Sequence, residues 1–324
     1  MAIDRRQFLR LCAGTGAMSL VGVRAAAETP SSKAPIIDVH LHAYPADMAL
    51  PDARYSVTGK PHGLKDGAAH MRACLAEMKR LNVVKGIVSG GLGDRLAAAE
   101  QWRDAAPDRI IAAAGVRGSD DVPLPELGLL RKAFSEGRLR VLGEVSAQYA
   151  GLSLGDQKYE PYLSLAEELD IPVALHTGMG PAGISYDPCC HGFRASLGNP
   201  GLVEEALNRH PKMRLNVMHG GWPYLQDMIA VLHTYPQVNL DLGWIDWGLP
   251  RPAFHQYLHS LMRAGLGKRI MFGTDQIFWP QAIGRAIEGV DSAPFLTHPE
   301  KRDIFYGNAV RFFRLDQGSG HKTT

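Results

Sequence analysis

Two histidines one residue apart are the first side chains in this sequence whose type and spacing could do chemistry. His40 and His42 end the segment Ile36-Ile37-Asp38-Val39-His40-Leu41-His42, whose apolar β-branched residues favour a strand. Residues i and i+2 of a strand point to the same face, so both imidazoles leave the backbone in one direction. This arrangement suits a metal ion better than a packed core. Because His-x-His alone is a weak signal, the other polar residues decide its meaning.

The elements that would position these histidines are strands alternating with amphipathic helices. The apolar runs predict eight strands, at residues 36–39, 85–89, 109–116, 140–145, 171–176, 214–219, 238–242 and 269–272. Most runs are continuously apolar, as is typical of parallel strands buried on both faces. Apolar periodicity and capping residues predict helices at residues 70–81, 125–137 and 201–210. This alternation predicts an α/β fold with one TIM-like (β/α)8 barrel rather than two domains.

Four further polar residues lie at the carboxyl ends of predicted strands: Glu144, His176, His219 and Asp275. Barrel closure places strand eight beside strand one, which brings Asp275 near His40 and His42, while His176 reaches across from the far side. Three imidazoles and one carboxylate suit Zn²⁺, with Mn²⁺, Co²⁺ and Fe²⁺ also open. Each residue also has a structural explanation, such as a core histidine at position 176 or a helix N-cap at position 275. Their shared position at strand ends favours the metal site.

Two long loops rich in glycine and proline, residues 43–67 and 177–198, follow the first and fifth strands. In a barrel such loops lie on the active-site face, so their polar and aromatic residues are candidates for substrate binding. The candidates are Tyr44, Arg54, His191 and Arg194, together with Trp244 and Trp279 near later strand ends. The adjacent Cys189 and Cys190, with His191, could form a second metal site or a redox pair. Neighbouring cysteines rarely form an unstrained bridge, so a substrate-binding role for His191 in this loop is favoured.

The N-terminus resembles an export signal. Asp4-Arg5-Arg6-Gln7-Phe8-Leu9-Arg10 resembles the twin-arginine consensus, and an apolar run at residues 11–23 and Ala25-Ala26-Ala27 follow it. We expect a twin-arginine signal peptide at residues 1–27, a linker at 28–35, the barrel at 36–315 and a flexible tail at 316–324. The protein is thus expected in the periplasm or secreted, with the twin-arginine export machinery as a partner. The apolar run is too short and too rich in glycine and alanine to span a membrane stably.

The composition limits the classes of partner. A chain with 45% hydrophobic and 21% charged residues has the composition of a globular protein with a substantial core. Loss of residues 1–27 removes four arginines and one aspartate, which takes the formal net charge from +2 to −1. No basic footprint for nucleic acid remains, and a small-molecule substrate is the expected partner.

The order of the motifs resembles the amidohydrolase superfamily, specifically the amidohydrolase-related group that contains aminocarboxymuconate-semialdehyde decarboxylase, γ-resorcylate decarboxylase and 2-pyrone-4,6-dicarboxylate hydrolase. The resemblance runs from Ile36 to about Phe313. It rests on Asp38-Val39-His40-Leu41-His42, Gly143-Glu144, Leu175-His176-Thr177-Gly178, Gly198-Asn199-Pro200, His219-Gly220-Gly221, Phe272-Gly273-Thr274-Asp275 and Gly307-Asn308-Ala309. Relatives of this group are often dimers, and a homodimer stays open because no interface can be recognised in the sequence.

The resemblance implies a metal-dependent hydrolase in which His40, His42, His176 and Asp275 hold one divalent metal, most simply Zn²⁺. It implies that His219 is a catalytic residue beside the metal and that Asp275 also transfers protons. In some relatives the fourth strand supplies a metal-bridging lysine. Glu144 stands there instead, as an additional ligand or an orienting neighbour.

Two alternatives remain open. The same site could decarboxylate an aromatic or muconate-type acid, with Asp275 or His219 protonating carbon and Arg54, Lys60, Arg194 or Arg251 binding the acid. A non-catalytic binding protein is the second alternative, and it is disfavoured because every expected ligand and acid-base residue is present.

Overall fold

Eight parallel strands in chain order form one nearly closed sheet, and α-helices follow them along the chain. The computed structural model describes residues 34–55, 57–91 and 95–316. The predicted signal peptide, most of the linker and nearly all of the predicted tail lie outside these residues. The strands are β1 Ile36–Ala43, β2 Val83–Gly90, β3 Ile110–Val116, β4 Val141–Val145, β5 Val173–Leu175, β6 Leu215–Val217, β7 Val238–Asp241 and β8 Ile270–Met271. This is the predicted TIM-like (β/α)8 barrel.

The α-helices are α1 Gly67–Arg80, α2 Arg95–Ala105, α3 Leu127–Ser135, α4 Glu160–Glu168, α5 Glu204–Arg209, α6 Leu225–Thr234, α7 Ile245–Gly248, α8 Arg251–Arg263, α9 Ala282–Asp291, α10 His298–Arg302 and α11 Asn308–Phe313. Short 3-10 helices occupy the long loop after β5, including Pro188–Cys190 and Ala195–Gly198. Among the described residues, no helix combines the length and the apolar character that crossing a bilayer requires.

The element bounds differ from the predicted ones in ways that capping and pairing explain. Helix α1 begins three residues before the predicted start, because the Asp66 side chain caps it by accepting a hydrogen bond from the Ala69 N–H at 2.8 Å. The predicted helix at residues 201–210 begins instead as a 3-10 helix, Pro200–Val203, and becomes α-helical at Glu204. Strand β1 runs four residues further than predicted, and this extension carries both His40 and His42 into the sheet.

The strands are buried on both sides, as their sequences predicted. Every residue of β1 and β3 is buried. Ile37, Val39 and other inward residues pack inside the barrel, where Phe312 and Phe313 of α11 join the same cluster. Ile36 and Leu41 of β1 belong to the larger cluster that the helices cover. The alternation of β1 side chains between two cores fixes which face of the strand meets the barrel interior.

The seam between β8 and β1 is joined largely by side chains rather than by a long ladder. Two backbone bonds cross it, from Val39 N–H to the Phe272 oxygen at 3.0 Å and from Asp275 N–H to the His40 oxygen at 2.7 Å. The buried Asp38 carboxylate accepts hydrogen bonds from the Thr274 N–H at 3.0 Å and the Thr274 hydroxyl at 2.6 Å.

Gln276 completes the seam one step nearer the carboxyl ends of the strands. Its Oε1 accepts from the His42 N–H at 2.9 Å and its Nε2 donates to the His42 oxygen at 2.8 Å. Gln276 is fully buried. The Gln276 amide therefore satisfies both the backbone N–H and the backbone oxygen of His42, which face the seam.

We expect Gln276→Leu to lower the free energy of unfolding by about 2 kcal/mol or more, because two buried backbone groups of His42 lose their partners. Gln281→Leu is the matched control, since Gln281 is exposed at the start of α9 and its side chain caps nothing. Chemical denaturation of both variants measures the difference. Equal stabilities would show that the Gln276 amide does not hold the seam.

Candidate metal centre

Six side chains converge at the carboxyl ends of the barrel strands. His40 and His42 lie in β1 and Glu144 in β4, whereas His176, His219 and Asp275 lie in the turns that follow β5, β6 and β8. Asp275 Oδ1 lies 2.9 Å from His42 Nε2 and 3.8 Å from His40 Nε2. The structure thus brings together every residue that the sequence proposed for the metal and for catalysis.

Glu144 lies at the centre of this group. Its Oε1 accepts a hydrogen bond from His176 Nδ1 at 2.6 Å, and its Oε2 lies 3.4 Å from His42 Nε2 and 4.0 Å from His40 Nε2. His219 Nε2 lies 3.0 Å from His176 Nδ1. The Glu144 carboxylate thus lies within 4.0 Å of four imidazoles, close enough to share a cation with them.

The donor set fits a divalent cation. Three overlapping triads of nitrogen and oxygen atoms could each hold an ion: His40 with His219 and Asp275, His40 with His42 and Glu144, and Glu144 with His176 and His219. His40 Nε2 is buried and has no hydrogen-bond partner among the described residues, although it faces these carboxylates. A buried, unpartnered imidazole nitrogen beside carboxylates is what a bound metal would satisfy.

Asp241, at the end of β7, fixes the orientation of His40. His40 Nδ1 lies 3.3 Å from Asp241 Oδ1, so a proton on Nδ1 is donated to this carboxylate and Nε2 keeps its lone pair for the cluster. The same carboxylate accepts from Asn216 Nδ2 at 2.8 Å and from the His219 N–H at 3.2 Å. Asp241 was not among the predicted site residues, although it is a polar residue at a strand end like the others.

Burial and charge act against each other at the centre. Burial would lower the pKa of His40, but the Asp241 and Asp275 carboxylates outweigh it and raise this pKa to about 10. Burial would raise the pKa of Glu144, but hydrogen bonds from His176 and His219 hold it well below its usual value. The lowered pKa values of Glu144, Asp241 and Asp275 keep these buried carboxylates ionised, which favours the binding of a cation.

Two of the site residues have left-handed backbone conformations. His219 has φ of 58° and Asp275 has φ of 48°, which non-glycine residues rarely adopt. At His219 the turn is held by Nδ1, which donates to the Gly243 oxygen at 3.0 Å. Gly243 itself must lack a side chain, because a Cβ there would lie 2.5 Å from His40 Nδ1. Such strain persists only where the surroundings enforce it, which is common at functional sites.

A cavity of about 540 Å³ opens above the cluster. The predicted residues Tyr44, Trp244 and Trp279 line it, and so do further aromatic residues that the sequence analysis did not assign to it: Tyr149, Trp222, Trp247 and Phe278. An aromatic wall above charged groups is the form of a small-molecule site.

Two buried arginines, Arg95 and Arg117, also line the cavity and were missed by the sequence analysis. Burial and the neighbouring Arg117 together lower the pKa of Arg95 from 12.5 to about 10. The Arg117 guanidinium lies 5.3 Å from the centre of the Tyr149 ring, and its Nε has no hydrogen-bond partner among the described residues. Two mutually repelling guanidinium groups on a cavity wall favour an anionic ligand.

Three of the predicted substrate-binding residues lie away from the cavity. Arg54 is exposed and donates to the Gly59 oxygen of its own loop, and Arg194 is exposed and donates to the His191 and Phe193 oxygens. His191 is exposed beside them. The prediction that these residues line the site is corrected, because none of them lines the cavity and the two arginines donate to backbone oxygens of their own loops.

The expectation for the neighbouring cysteines is also corrected. Cys189 and Cys190 form a disulfide within the loop after β5. They lie in the 3-10 helix Pro188–Cys190, where Asp187 Oδ1 accepts from the Cys189 N–H at 3.0 Å. Arg251, considered above as a partner for a substrate acid, instead donates to the Asp246 oxygen at 2.8 Å.

An eight-stranded barrel with a His/Asp/Glu cluster at the carboxyl ends of its strands defines an enzyme scaffold with a candidate divalent-metal site. The family model described as Amidohydrolase (Amidohydro_2) matches residues 37–315. The chain belongs to this family, in agreement with the resemblance to the amidohydrolase-related group.

Solved structures share the fold at low sequence identity. An uncharacterized TIM-barrel protein, Bb4693 from Bordetella bronchiseptica, is 20% identical with a TM-score of 0.64, covering 86% of this chain and 98% of that one. A probable 2-pyrone-4,6-dicarboxylic acid hydrolase from Acinetobacter baumannii, with citric acid bound, is 17% identical with a TM-score of 0.61, covering 86% and 99%. The 2,6-dihydroxybenzoate decarboxylase from Rhizobium is 15% identical with a TM-score of 0.56, covering 86% and 99%.

One curated relative matches part of the chain. Protein fluG from Emericella nidulans is 22% identical over 174 residues, which are 47% of this chain. The match spans 19% of the length of that protein. The family model thus establishes the amidohydrolase family, and the solved structures establish the fold, with proteins named as hydrolases and decarboxylases among them.

We expect Asp241→Asn to weaken the binding of a divalent metal by about 10- to 100-fold, because His40 loses the carboxylate that orients its ring. The affinity is measured by competition with a chromogenic chelator, and circular dichroism tests whether the fold is retained. Asp291→Asn is the control, since this aspartate is exposed at the end of α9. Unchanged affinity in Asp241→Asn would contradict an orienting role.

Proposed function

We propose that this protein is a metal-dependent hydrolase that uses an activated water on the carbonyl of a lactone, ester or amide. Its substrate is a small, carboxylated, aromatic or otherwise planar molecule. The observation that carries this proposal is the placement of two buried arginines on the wall of a cavity whose floor holds the His/Asp/Glu cluster.

The arginines give the reason to prefer hydrolysis. The Tyr149 ring lies against both Arg117 and His176, with its centre 5.3 Å from the guanidinium carbon and 5.0 Å from the His176 ring centre. The Tyr149 ring therefore links Arg117 to the His/Asp/Glu cluster by direct contact with both. A substrate carboxylate bound by the arginines would be an anchor, and a different group, the carbonyl, would meet the cluster.

A divalent metal at the cluster, with Zn²⁺ our choice for this nitrogen-rich donor set, would polarise the carbonyl and lower the pKa of a water. His40, His42, His176 and Asp275 would hold it, with Glu144 as a further ligand. Asp275 accepts the proton of the attacking water and delivers it to the leaving group. His219 holds the water through Nε2, because Nδ1 is committed to the Gly243 oxygen.

Decarboxylation is the second candidate, because the fold neighbours include a decarboxylase. In that reaction the acid to be lost would lie against the cluster, and Asp275 or His219 would protonate the carbon. The two reactions differ in their products, so a direct assay separates them.

The test is a screen of lactones, esters and amides of aromatic acids, together with free aromatic acids, using protein whose metal content has been measured. We expect acid release with ¹⁸O incorporated from labelled water and no carbon dioxide. Carbon dioxide release without incorporation of water oxygen would replace the hydrolase by the decarboxylase.

In the same assay we expect His219→Asn to lower kcat by roughly 10²- to 10⁴-fold with smaller changes in KM, because the water loses its hydrogen-bonding partner. His233→Asn is the matched control, since His233 is exposed on α6. Metal content is measured for both variants. A kcat unchanged in His219→Asn would remove His219 from the mechanism.

We also propose that the protein is exported by the twin-arginine route to the periplasm or the exterior. The support is the paired arginines, the apolar run and the alanine-rich end of residues 1–27. Expression in a bacterial host should yield a periplasmic protein that begins at Glu28, as read by mass spectrometry, and Arg5→Lys with Arg6→Lys should abolish export. Cytoplasmic, uncleaved protein would refute this proposal.

A further inference from the structure

The disulfide between neighbouring cysteines touches a wall residue of the substrate cavity. Arg117 Nη1 donates to Cys190 Sγ at 3.8 Å, and both side chains are buried. Arg117 follows β3 and lines the cavity, whereas Cys190 belongs to the loop after β5. One sulfur of the disulfide therefore lies against a guanidinium group that we assign to the substrate anion.

We propose that the Cys189–Cys190 disulfide is a reversible modification site that controls the anion-binding charge of Arg117. The proposal rests on the hydrolase proposal for its assumption that Arg117 binds a substrate carboxylate. In the oxidised protein the sulfur is neutral and Arg117 offers its full charge to the cavity. In the reduced protein Cys190 becomes a thiolate that pairs with Arg117.

The two sulfurs are not equivalent toward a reductant. Cys189 is partly exposed, whereas Cys190 is only 1% exposed. A small dithiol or a protein dithiol attacks Cys189 Sγ, the S–S bond breaks, and its electron pair leaves on Cys190 Sγ as a thiolate beside Arg117. The second thiol of the reductant then displaces Cys189, so the reductant is oxidised to a disulfide and both cysteines are reduced. A leaving thiolate that a cation stabilises leaves faster.

The buried Arg95 guanidinium lies near Arg117, and as a second cation it also favours a thiolate. Three further charged or titratable groups lie near this pair. Asp121 Oδ2 lies 3.5 Å from Arg117 Nη1, and its side chain is about half exposed. Asp187 precedes the cysteines and accepts from the Cys189 N–H, while His191 follows them and is exposed. Water screens these three groups, whereas the Cys190 sulfur and Arg117 are buried together, so the thiolate would neutralise Arg117 more strongly than they do.

The first test titrates the thiol and needs no substrate. In a Cys12→Ser, Cys189→Ser background, Cys190 is the thiol that titrates, because burial raises the pKa of the remaining Cys74 far above the working range. Thiolate absorbance near 240 nm should appear below pH 8.5, the ordinary midpoint of a thiol, when Arg117 is present. Adding Arg117→Met should shift the midpoint upward, whereas Arg263→Met, at an exposed arginine of α8, should not.

Arg117→Lys covers the case in which Arg117→Met does not fold, because it keeps the charge and should keep the low midpoint. Circular dichroism establishes folding for each variant. A Cys190 midpoint at or above that of a free thiol in the folded protein with Arg117 would overturn the proposal.

The second test measures the binding of isophthalate, an aromatic dicarboxylate, by calorimetry. Oxidised protein should bind it about tenfold more tightly than protein reduced with a phosphine, because one charge-assisted contact is lost. A Cys189→Ser, Cys190→Ser variant should bind like the oxidised protein whether or not reductant is present. Equal affinity of the oxidised and reduced protein would overturn the switch. If Arg117→Met left isophthalate binding unchanged, Arg117 would not bind the substrate carboxylate and that part of the hydrolase proposal would fail. The thiol titration would still decide whether Arg117 stabilises the Cys190 thiolate.

Discussion

The geometry of the candidate metal centre depends on how the barrel is closed between β8 and β1. Only short pairing crosses this seam, and the Asp38 carboxylate and the Gln276 amide supply most of its hydrogen bonds. Asp38 is fully buried, and burial raises its pKa to about 7 even though three hydrogen bonds favour its ionised form. Polar groups so deeply buried must be satisfied, so the seam has few alternative arrangements. Because His40, His42 and Asp275 lie on the two edges of this seam, its geometry sets theirs.

A second buried carboxylate, Asp241, holds the candidate metal-binding residues in the same way. The Asp241 carboxylate joins His40, the His219 backbone, Asn216 and the Gly243 N–H at 2.9 Å. It thus connects the ends of β1, β6 and β7 through one buried charge. Such an anion is stable only beside donors and cations, and its position at the barrel mouth is a main reason why the pKa of His40 is raised.

Much of the fold and of the candidate centre follows from the sequence. All eight strands and the convergence of His40, His42, Glu144, His176 and Asp275 could be predicted, because parallel strands end on the same side of a barrel. The strand lengths could not be predicted, because a strand ends where side chains replace the neighbouring strand as hydrogen-bond partners of its backbone. Strand β8, for example, has two residues where four were predicted. The helix starts could not be predicted either, because capping side chains such as Asp66 determine them.

The parts of the pocket that were missed have a common cause. The sequence predicts charged residues of the long loops as substrate partners, yet Arg54 and Arg194 donate to carbonyl oxygens of their own loops. Arg117 directly follows β3 and Asp241 ends β7, so the rule that identified the histidines applied to them as well. The Cys189–Cys190 bridge could not be predicted, because it depends on a local turn that Asp187 stabilises.

The aromatic wall gives the protein an intrinsic optical signal. Four of its five tryptophans, Trp222, Trp244, Trp247 and Trp279, line the cavity, whereas Trp102 is a buried residue of α2. Indole emission responds to the polarity and the charges around the ring. Ultraviolet fluorescence of the unlabelled chain therefore arises mostly from the cavity, and a quenching titration would report its occupancy without any turnover.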